Sequence, residues 1–403
     1  MPSESYLEPD YFVGDVNATN FTLCDDTSEL RIAFISIGSC LSVLGCMFNG
    51  ILLYIFLGKT QRSYPFQTFL AFLDFMLCAL YIHCFGLLAL SVEYKNALLY
   101  NFVMDSNVIS LVMSRIVQLA IPYTLIANSA EKLTMILGFD CESKYSLRLR
   151  IGVIILLSAT VTLLRINGLY LFYIFEDDNC EYFHRKYLSS HQEEVQKWTT
   201  FENVLTFFHT FVSFVLLVAF NIVVVAKLRV QHRRTRRQST SPAQLFSVYF
   251  RNFLGSKSIT VLTPVGNTAT QTLENRSTTA RVQAAQEIRE QQHKIRCAVK
   301  TTVVIISAYL ACNLCNFVLY SLETFRREWI MEGNGGFKPF YVIISDVGSN
   351  LFVFSSTIRI FIYYKYNAEI KKLIREMWLV NFIITHIRPL KTDALLKIDR
   401  ADV

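Results

Sequence analysis

Two opposite charges stand inside otherwise apolar stretches of the chain. Asp74 lies within the stretch from Phe66 to Val92, and Arg359 lies within the stretch from Tyr341 to Tyr364. A charged side chain at the centre of a bilayer costs about 2.5–3.5 kcal/mol or more, so such a residue is retained for a partner or a function. We therefore predict that Asp74 and Arg359 form an ion pair in which each charge neutralises the other.

A second group of polar residues lies in five of the apolar stretches, in the half of each that is nearer to the same side of the membrane. Together these residues would outline a polar cavity open to that side. Separate structural pairs, or side chains that reach the membrane surface, are the alternative. The group consists of Asp105, Arg115, Gln118, Arg165, His209, Glu323 and Asp346. Our candidates for binding a ligand are Arg115, Gln118, Arg165, His209 and Asp346.

Seven apolar stretches position these residues. Hydrophobic residues make up 52% of the 403 residues and charged residues only 18%, a balance that favours lipid over water. A membrane-spanning helix needs about 20 apolar residues, whereas core helices of a soluble protein would carry regular polar stripes. The sequence predicts an all-α membrane protein, a seven-transmembrane helix bundle in residues 32–364, with spans at 32–57, 66–92, 104–137, 151–175, 204–226, 298–322 and 341–364.

The distribution of charge predicts the orientation of this bundle. Segments 58–65, 138–150, 227–297 and 365–403 together hold 26 basic and 10 acidic residues. Short cytoplasmic loops retain Lys and Arg, so these segments are expected to face the cytoplasm. The protein is therefore expected in the plasma membrane, as a multi-pass protein with an extracellular N-terminal tail at residues 1–31.

The N-terminal tail carries sites for modification in this orientation. The sequons Asn17-Ala18-Thr19 and Asn20-Phe21-Thr22 predict N-glycosylation at Asn17 and Asn20. Cys24 and Cys180 face the oxidising exterior, where disulfides form. We expect a bond between these two cysteines, with two free thiols or an intermolecular bond as the alternatives.

Two cytoplasmic segments are basic. The loop 227–297 is polar, and we expect its flanks, 226–237 and 281–296, to extend the neighbouring helices into the cytoplasm. The segment 245–254 is aromatic and is a candidate for lying along the membrane. In the tail 365–403, apolar residues recur at helical spacing opposite basic residues, which predicts an amphipathic helix bound to membrane lipid; its apolar residues are Ile370, Leu373, Ile374, Met377 and Trp378.

Local motifs resemble those of the rhodopsin-like (class A) G protein-coupled receptors over most of the chain. The segment 70–74, Leu-Ala-Phe-Leu-Asp, is the most faithful match, and it lies in the second span. Other motifs are degraded: Lys132 stands at the Arg of Asp-Arg-Tyr, Asn313 at the Trp of Cys-Trp-x-Pro, and Arg359 at the Asn of Asn-Pro-x-x-Tyr. The resemblance implies an intramembrane switch formed by Asn49, Asp74, Asn313, Arg359 and Tyr363, and a face for a G protein that includes Glu131, Lys132 and Lys300.

Parts of helices six and seven are also similar to invertebrate neuropeptide receptors, including the FMRFamide-like branch. Ser114 stands where an amine-binding Asp would be, and Asn107 replaces the helix-three Cys of the usual disulfide. The resemblance implies a cell-surface receptor in which an extracellular ligand, expected to be a peptide, acts on a heterotrimeric G protein. A chemosensory receptor of nematode type is the alternative within this class.

Other classes of function are less well supported. A transporter or channel lined by the buried charges would be expected to contain repeated or broken spans, and the sequence has no evident repeat. A metal-dependent hydrolase would need clustered ligands, but the seven His are scattered without His-Glu-x-x-His spacing. We expect no enzymatic activity, no cofactor or metal, and no binding of nucleic acid.

Overall fold

Seven long apolar helices form one bundle in the computed structural model, which describes residues 29–58, 64–137, 143–178, 180–239, 268–331 and 338–376. Among these residues, seven helices are long and apolar enough to cross a membrane. The predicted all-α, seven-helix fold is therefore confirmed. The helices are α1 Glu29–Gly58, α2 Pro65–Tyr81 with its continuation to Glu93, α3 Ala97–Leu137, α4 Ser143–Arg165, α5 Gln192–Phe207 with Ser213–Ser239, α6 Thr268–Phe325, and α7 Pro339–Thr357 with Arg359–Tyr366.

Three of the spans are interrupted. In α2, a π-helical turn at Ile82–Leu87 leads into Leu88–Glu93, and in α5 a second π-helical turn occupies Phe208–Val212. In α7, Ile358 separates the two helical segments. A π-helical turn inserts one residue into the helix and redirects the side chains on either side of it, and such turns are frequent at functional sites.

The buried core lies on the bundle axis and is shared by several helices. Its fully buried members include Leu52 and Phe56 of α1, Leu70 of α2, Ile121 of α3 and Ile306 of α6. The outer faces carry exposed large apolar residues, such as Tyr54 and Leu163. Exposed apolar side chains all round a bundle are what a hydrocarbon surrounding requires.

A β-hairpin covers one end of the bundle. Strands β1 Phe172–Glu176 and β2 Lys186–Ser190 pair antiparallel, with Ile174 opposite Leu188. The predicted fourth span, 151–175, is therefore too long: its last apolar residues belong to β1, because an aromatic, β-branched run suits a strand. We call this the hairpin end, and the opposite end, where α7 finishes, the tail end.

A short helix, α8 Ala368–Glu376, follows α7 at the tail end. The Asn367 side chain accepts hydrogen bonds from the backbone N–H groups of Glu369 and Ile370 and so caps the helix. Ile370 and Ile374 are buried in the core, while Lys371 and Lys372 lie on other faces. The predicted amphipathic helix is confirmed over these residues, whereas its binding to membrane lipid stays a prediction; Met377 and Trp378 lie outside the described part of the chain.

The predicted helical extensions beyond the membrane are also present. Helix α5 continues to Ser239, and α6 begins at Thr268, well before its apolar part. The segment 245–254 lies outside the described residues, so its expected position along the membrane stays a prediction.

Candidate functional site

A large cavity opens among the helices at the hairpin end. Its volume is about 1420 Å³, and residues from all seven helices and the hairpin line it, with Arg165 as the contribution of α4. Leu188 and Phe172 of the hairpin pack on α3 through Val108 and Leu111, which fixes the hairpin over the cavity. Both π-helical turns contribute to its walls, through residues such as Phe85 and His209.

Arg115 and Gln118 both line this cavity from α3. The Arg115 guanidinium lies 4.8 Å from the centre of the Phe172 ring, a cation–π contact that joins α3 to the hairpin. Gln118 donates from Nε2 to the hydroxyl of Ser114, one turn earlier, at 3.3 Å. These two predicted ligand-binding residues thus lie on one face of α3, toward the cavity.

Arg165 lines the cavity and forms a buried ion pair. Its Nη1 lies 2.6 Å from Oε2 of Glu202 on α5, and Asn167 donates to the other carboxylate oxygen at 3.0 Å. Both charged side chains are buried, so the pair clamps α4 to α5. Glu202 was missed in the sequence because it lies at the polar start of α5, outside the predicted span.

His209 reaches the cavity from the π-helical turn of α5. Its backbone carbonyl accepts a hydrogen bond from the hydroxyl of Ser213. The ring nitrogen Nδ1 is buried and has no hydrogen-bond partner among the described residues. A buried polar atom without a partner costs free energy, which a ligand or a water molecule in the cavity would recover.

Two members of the predicted polar group are not brought together with the rest. Asp105 has a side chain that is 68% exposed and pairs with Lys186 of β2 at 3.1 Å, beside the cavity rather than in it. Asp346 pairs with Arg31 at 3.5 Å and joins α7 to the start of α1. Glu323, in contrast, lines the cavity and accepts a hydrogen bond from the Tyr341 hydroxyl.

The predicted ion pair between Asp74 and Arg359 is confirmed. It joins α2 to α7, and the two side chains are 1% and 2% exposed. The hydroxyl of Ser356 donates to the second carboxylate oxygen of Asp74 at 2.8 Å. Asn49 of α1 donates to the backbone carbonyls of Gly45 and of Ser356, at 3.0 and 3.3 Å, so three helices meet at this pair.

Aromatic residues connect the cavity with this ion pair. Tyr309 of α6 and Phe352 of α7 line the cavity floor, with ring centres 6.1 Å apart. Both rings belong to the buried cluster that also contains Ile360, the residue after Arg359. Asn313 lines the cavity and donates to the carbonyl of Tyr309 at 2.9 Å. The cavity floor and the ion pair are therefore joined through neighbouring residues of α6 and α7.

Beyond the ion pair, Tyr363 of α7 is buried toward the tail end. Its ring lies 5.5 Å from that of Phe56 in α1, centre to centre. This contact holds the last turns of α7 against α1. The predicted switch residues thus occupy neighbouring positions from the cavity floor toward the tail end of the bundle.

At the tail end, Glu131 is the centre of a group of charges. Arg150 of α4 lies 2.8 Å from its carboxylate and the buried Lys132 lies 3.4 Å from it. Lys132 thus points into the bundle, whereas Lys300 on α6 is exposed. Among the predicted residues of the G protein face, Lys300 is the one that is exposed.

A buried polar bridge that the sequence analysis missed joins three helices near this group. Gln67 of α2 donates to Asn128 of α3 at 3.1 Å, and Asn128 donates to the hydroxyl of Thr302 on α6 at 3.5 Å. All three side chains are buried. Neutral polar residues are common in spans, so their types and spacing alone do not mark them out.

The remaining predicted sites are only partly described. Cys180 is disulfide-bonded, but Cys24, Asn17 and Asn20 lie outside the described residues, so the disulfide pairing and the glycosylation stay predictions. Among the described residues, no group of His, Cys, Asp or Glu is arranged to hold a metal ion.

Seven spans, a ligand-sized cavity at one end and a buried ion pair below it define the architecture of a G protein-coupled receptor. The sequence model of the family described as the serpentine type 7TM GPCR chemoreceptor Srx matches residues 40–254. Because the match covers just over half of the chain, the protein belongs to this family. No curated protein matches the sequence.

This family membership corrects part of the sequence interpretation. It supports a cell-surface, multi-pass G protein-coupled receptor, as expected, but it does not support the resemblance to FMRFamide-like neuropeptide receptors. The chemosensory alternative fits the family better than the neuropeptide interpretation.

Proposed function

We propose that the protein is a chemosensory receptor that binds a small organic molecule in the cavity at the hairpin end and passes this signal to a heterotrimeric G protein at the tail end. The hairpin end faces the exterior in this proposal, since the basic segments 227–297 and 365–403 belong on the cytoplasmic side. The N-terminus is then extracellular.

The lining of the cavity favours a small ligand over a peptide. Pockets for small molecules combine apolar walls with a few polar groups, and the volume here, about 1420 Å³, exceeds their usual range of about 300–1000 Å³. Here the hairpin packs on α3 and lines part of the cavity, and Arg115, Gln118 and His209 are polar groups in largely apolar walls.

The observation that carries the proposal is the shared position of Tyr309. This residue forms part of the cavity floor and belongs to the buried cluster that contains Phe352 and Ile360 of α7, next to Arg359 of the ion pair. A ligand that prefers one arrangement of Tyr309 therefore also biases the contact between α6 and α7. Such a bias is what a two-state receptor needs, because a ligand shifts an equilibrium only through its different affinities for the two states.

The Arg165–Glu202 pair has a supporting role in this mechanism. It keeps α4 and α5 together beside His209, so the wall of the cavity remains fixed when the ligand binds. We assign recognition to Arg115, Gln118 and His209, and positioning of the wall to Arg165. Asp346, which pairs with Arg31, is assigned a role in joining α7 to α1 rather than in contacting the ligand.

A binding and signalling assay tests the proposal. Cells that express the full chain are exposed to a panel of small organic compounds, and G protein activation is measured for the wild type, Arg115→Gln and Arg326→Gln. Arg326 lies at the same end but is exposed and paired with Glu328, so it is the matched control. We expect to find compounds that activate the wild type and the control at similar concentrations. The same compounds should need about tenfold higher concentration with Arg115→Gln, which corresponds to a loss of about 1.4 kcal/mol of binding free energy.

Three outcomes would contradict the proposal. An equal response of Arg115→Gln and the wild type would exclude the cavity as the ligand site. Activation by amidated peptides alone would favour the neuropeptide interpretation. Transport of ions or solutes without G protein activation would favour a transporter or channel.

A further inference from the structure

The cavity is not confined to the interior of the bundle. Its lining includes Ser36, Cys40, Val43 and Leu44 of α1, which are exposed on the outer surface of that helix. Val43, for example, is 50% exposed. The cavity lining therefore extends along α1 and α2 to the outer surface of these helices, which meets the membrane; we call this part the lateral groove.

The depth of the lateral groove places it in the hydrocarbon layer. With a rise of about 1.5 Å per residue, positions 36–44 cover about 12 Å along α1, beginning about 10 Å from the start of the helix at Glu29. A bilayer core is about 30 Å thick. These positions are thus reached from lipid, and Ile32 and Glu93 continue the lining to the hairpin end.

The π-helical turn of α2 forms the opposite wall of the lateral groove. Cys84, Phe85 and Gly86 all lie within this turn and line the cavity. Gly86 is buried against α1: a methyl group in its place would meet the Ser39 hydroxyl at 2.9 Å. The absence of a side chain at Gly86 allows α1 and α2 to meet there, while the turn redirects its neighbours into the groove.

The two ends of the cavity differ in chemistry. At the interior end, Arg115 provides a permanent positive charge with five N–H donors, and Gln118 lies one turn away on the same helix. At the lateral end the lining is mainly aliphatic, with Val43, Leu44 and Leu88 among its members. A molecule that matches both ends has an acidic head group and an apolar chain.

We infer that the receptor takes a lipophilic carboxylic acid that partitions into the bilayer and enters along the lateral groove of α1 and α2. Its carboxylate pairs with Arg115, and its chain occupies the lateral groove. This inference rests on the proposed function for its physiological meaning, because it specifies the ligand class of the same cavity. The binding itself can be measured without a G protein.

Photochemical labelling of the purified full-length receptor in lipid nanodiscs tests the inference. The probe is a long-chain fatty acid that carries a diazirine in its chain, and the labelled residues are located by mass spectrometry. We expect labels in residues 36–44 of α1 and 80–90 of α2. Excess unlabelled fatty acid should reduce this labelling about tenfold, whereas labelling of other lipid-facing residues should not saturate.

Two tryptophan variants separate the groove from the general lipid surface. Val43→Trp fills the lateral groove, whereas Met47→Trp adds the same bulk one turn away, at a position that is 57% exposed and outside the cavity lining. We expect saturable labelling to fall about tenfold in Val43→Trp and to remain unchanged in Met47→Trp. Equal labelling of both variants would overturn the lateral entrance.

A third variant tests the head group. Arg115→Gln should lose the preference for the fatty acid over a diazirine-bearing fatty alcohol of the same length, while the alcohol labels the wild type and the variant alike. Unchanged preference for the acid would overturn the assignment of the carboxylate to Arg115. Saturable labelling combined with silence in every G protein assay would leave this binding site standing and contradict the proposed function instead.

Discussion

Asp74 of α2 and Arg359 of α7 form an ion pair at the centre of the bundle, where both side chains are almost entirely buried. Ser356 completes the surroundings of the carboxylate by donating its hydroxyl. Two atoms of the guanidinium, Nε and Nη2, have no hydrogen-bond partner among the described residues. This incomplete pairing leaves the guanidinium able to exchange partners, which suits an element with two alternative arrangements.

The first prediction concerns the stability of this pair. Asp74→Asn or Arg359→Gln alone leaves one buried charge without its counter-charge, which costs about 3–5 kcal/mol. The double variant removes both charges and should recover most of the loss. The measurement is the thermal unfolding midpoint of the purified receptor. A double variant that is as unstable as the sum of the two single variants would show that the charges act independently.

The second prediction concerns sodium. In the rhodopsin-like receptors that the sequence resembles, an Asp of helix two and an Asn of helix seven share a sodium ion, and here Arg359 stands in place of the Asn. The guanidinium takes the position of the cation, so replacing sodium by choline should leave agonist potency unchanged. A sodium-dependent shift of potency in the wild type that disappears in Asp74→Asn would contradict this substitution of Arg359 for the ion.

The third prediction concerns the polar bridge from α2 through α3 to α6. Thr302→Val removes the acceptor for Asn128 at nearly constant volume, and a hydrogen bond of this kind stabilises its state by about 1 kcal/mol. Basal G protein activation should therefore rise about fivefold, because the bridge favours the state in which α6 lies against α3. The readout is nucleotide exchange without agonist, corrected for receptor amount.

A matched control is available for this variant. Thr301→Val lies one position earlier, and its hydroxyl donates within α6 to the carbonyl of Cys297. We expect no rise in basal activity with this change. If Thr301→Val activates the receptor as much as Thr302→Val, the effect would be a general loosening of α6 and not the loss of the bridge.

The fourth prediction concerns the wall of the cavity. Glu202→Gln keeps the shape of the side chain but leaves Arg165 without its counter-charge in a buried position, at a cost of about 3–5 kcal/mol. We expect a lower unfolding temperature and little receptor at the cell surface. Glu328→Gln is the control, because its ion pair with Arg326 is exposed and contributes about 0–1 kcal/mol. Equal surface levels of the two variants would count against a structural clamp at Glu202.

The fold and the central ion pair could be predicted from the sequence because each depends on strong local signals. A stretch of about 20 apolar residues has few alternatives to a membrane helix. Asp74 and Arg359 have opposite charges and lie apart from the group of polar residues in the other half of the spans, so each is the expected partner of the other. Both signals are independent of how the helices are arranged around the bundle axis.

The cavity was harder to predict, since depth along a helix does not say which way a side chain points. Asp346 lies at a suitable depth but faces α1, where Arg31 meets it. Glu202 belongs to a polar stretch that becomes buried only when α4 packs beside it. The lateral groove depends on the π-helical turn at Ile82–Leu87, which adds a residue to the helix without a clear sequence signal.

The most direct test of the central account measures ligand binding and G protein activation together in the same variant. The ligand is a compound that activates the wild type. The double variant Asp74→Asn/Arg359→Gln should bind it with an affinity within about threefold of the wild type, since neither residue lines the cavity. Its agonist-stimulated nucleotide exchange, in contrast, should fall at least about tenfold. If binding and exchange are both retained, the ion pair is not the link between the cavity and the G protein.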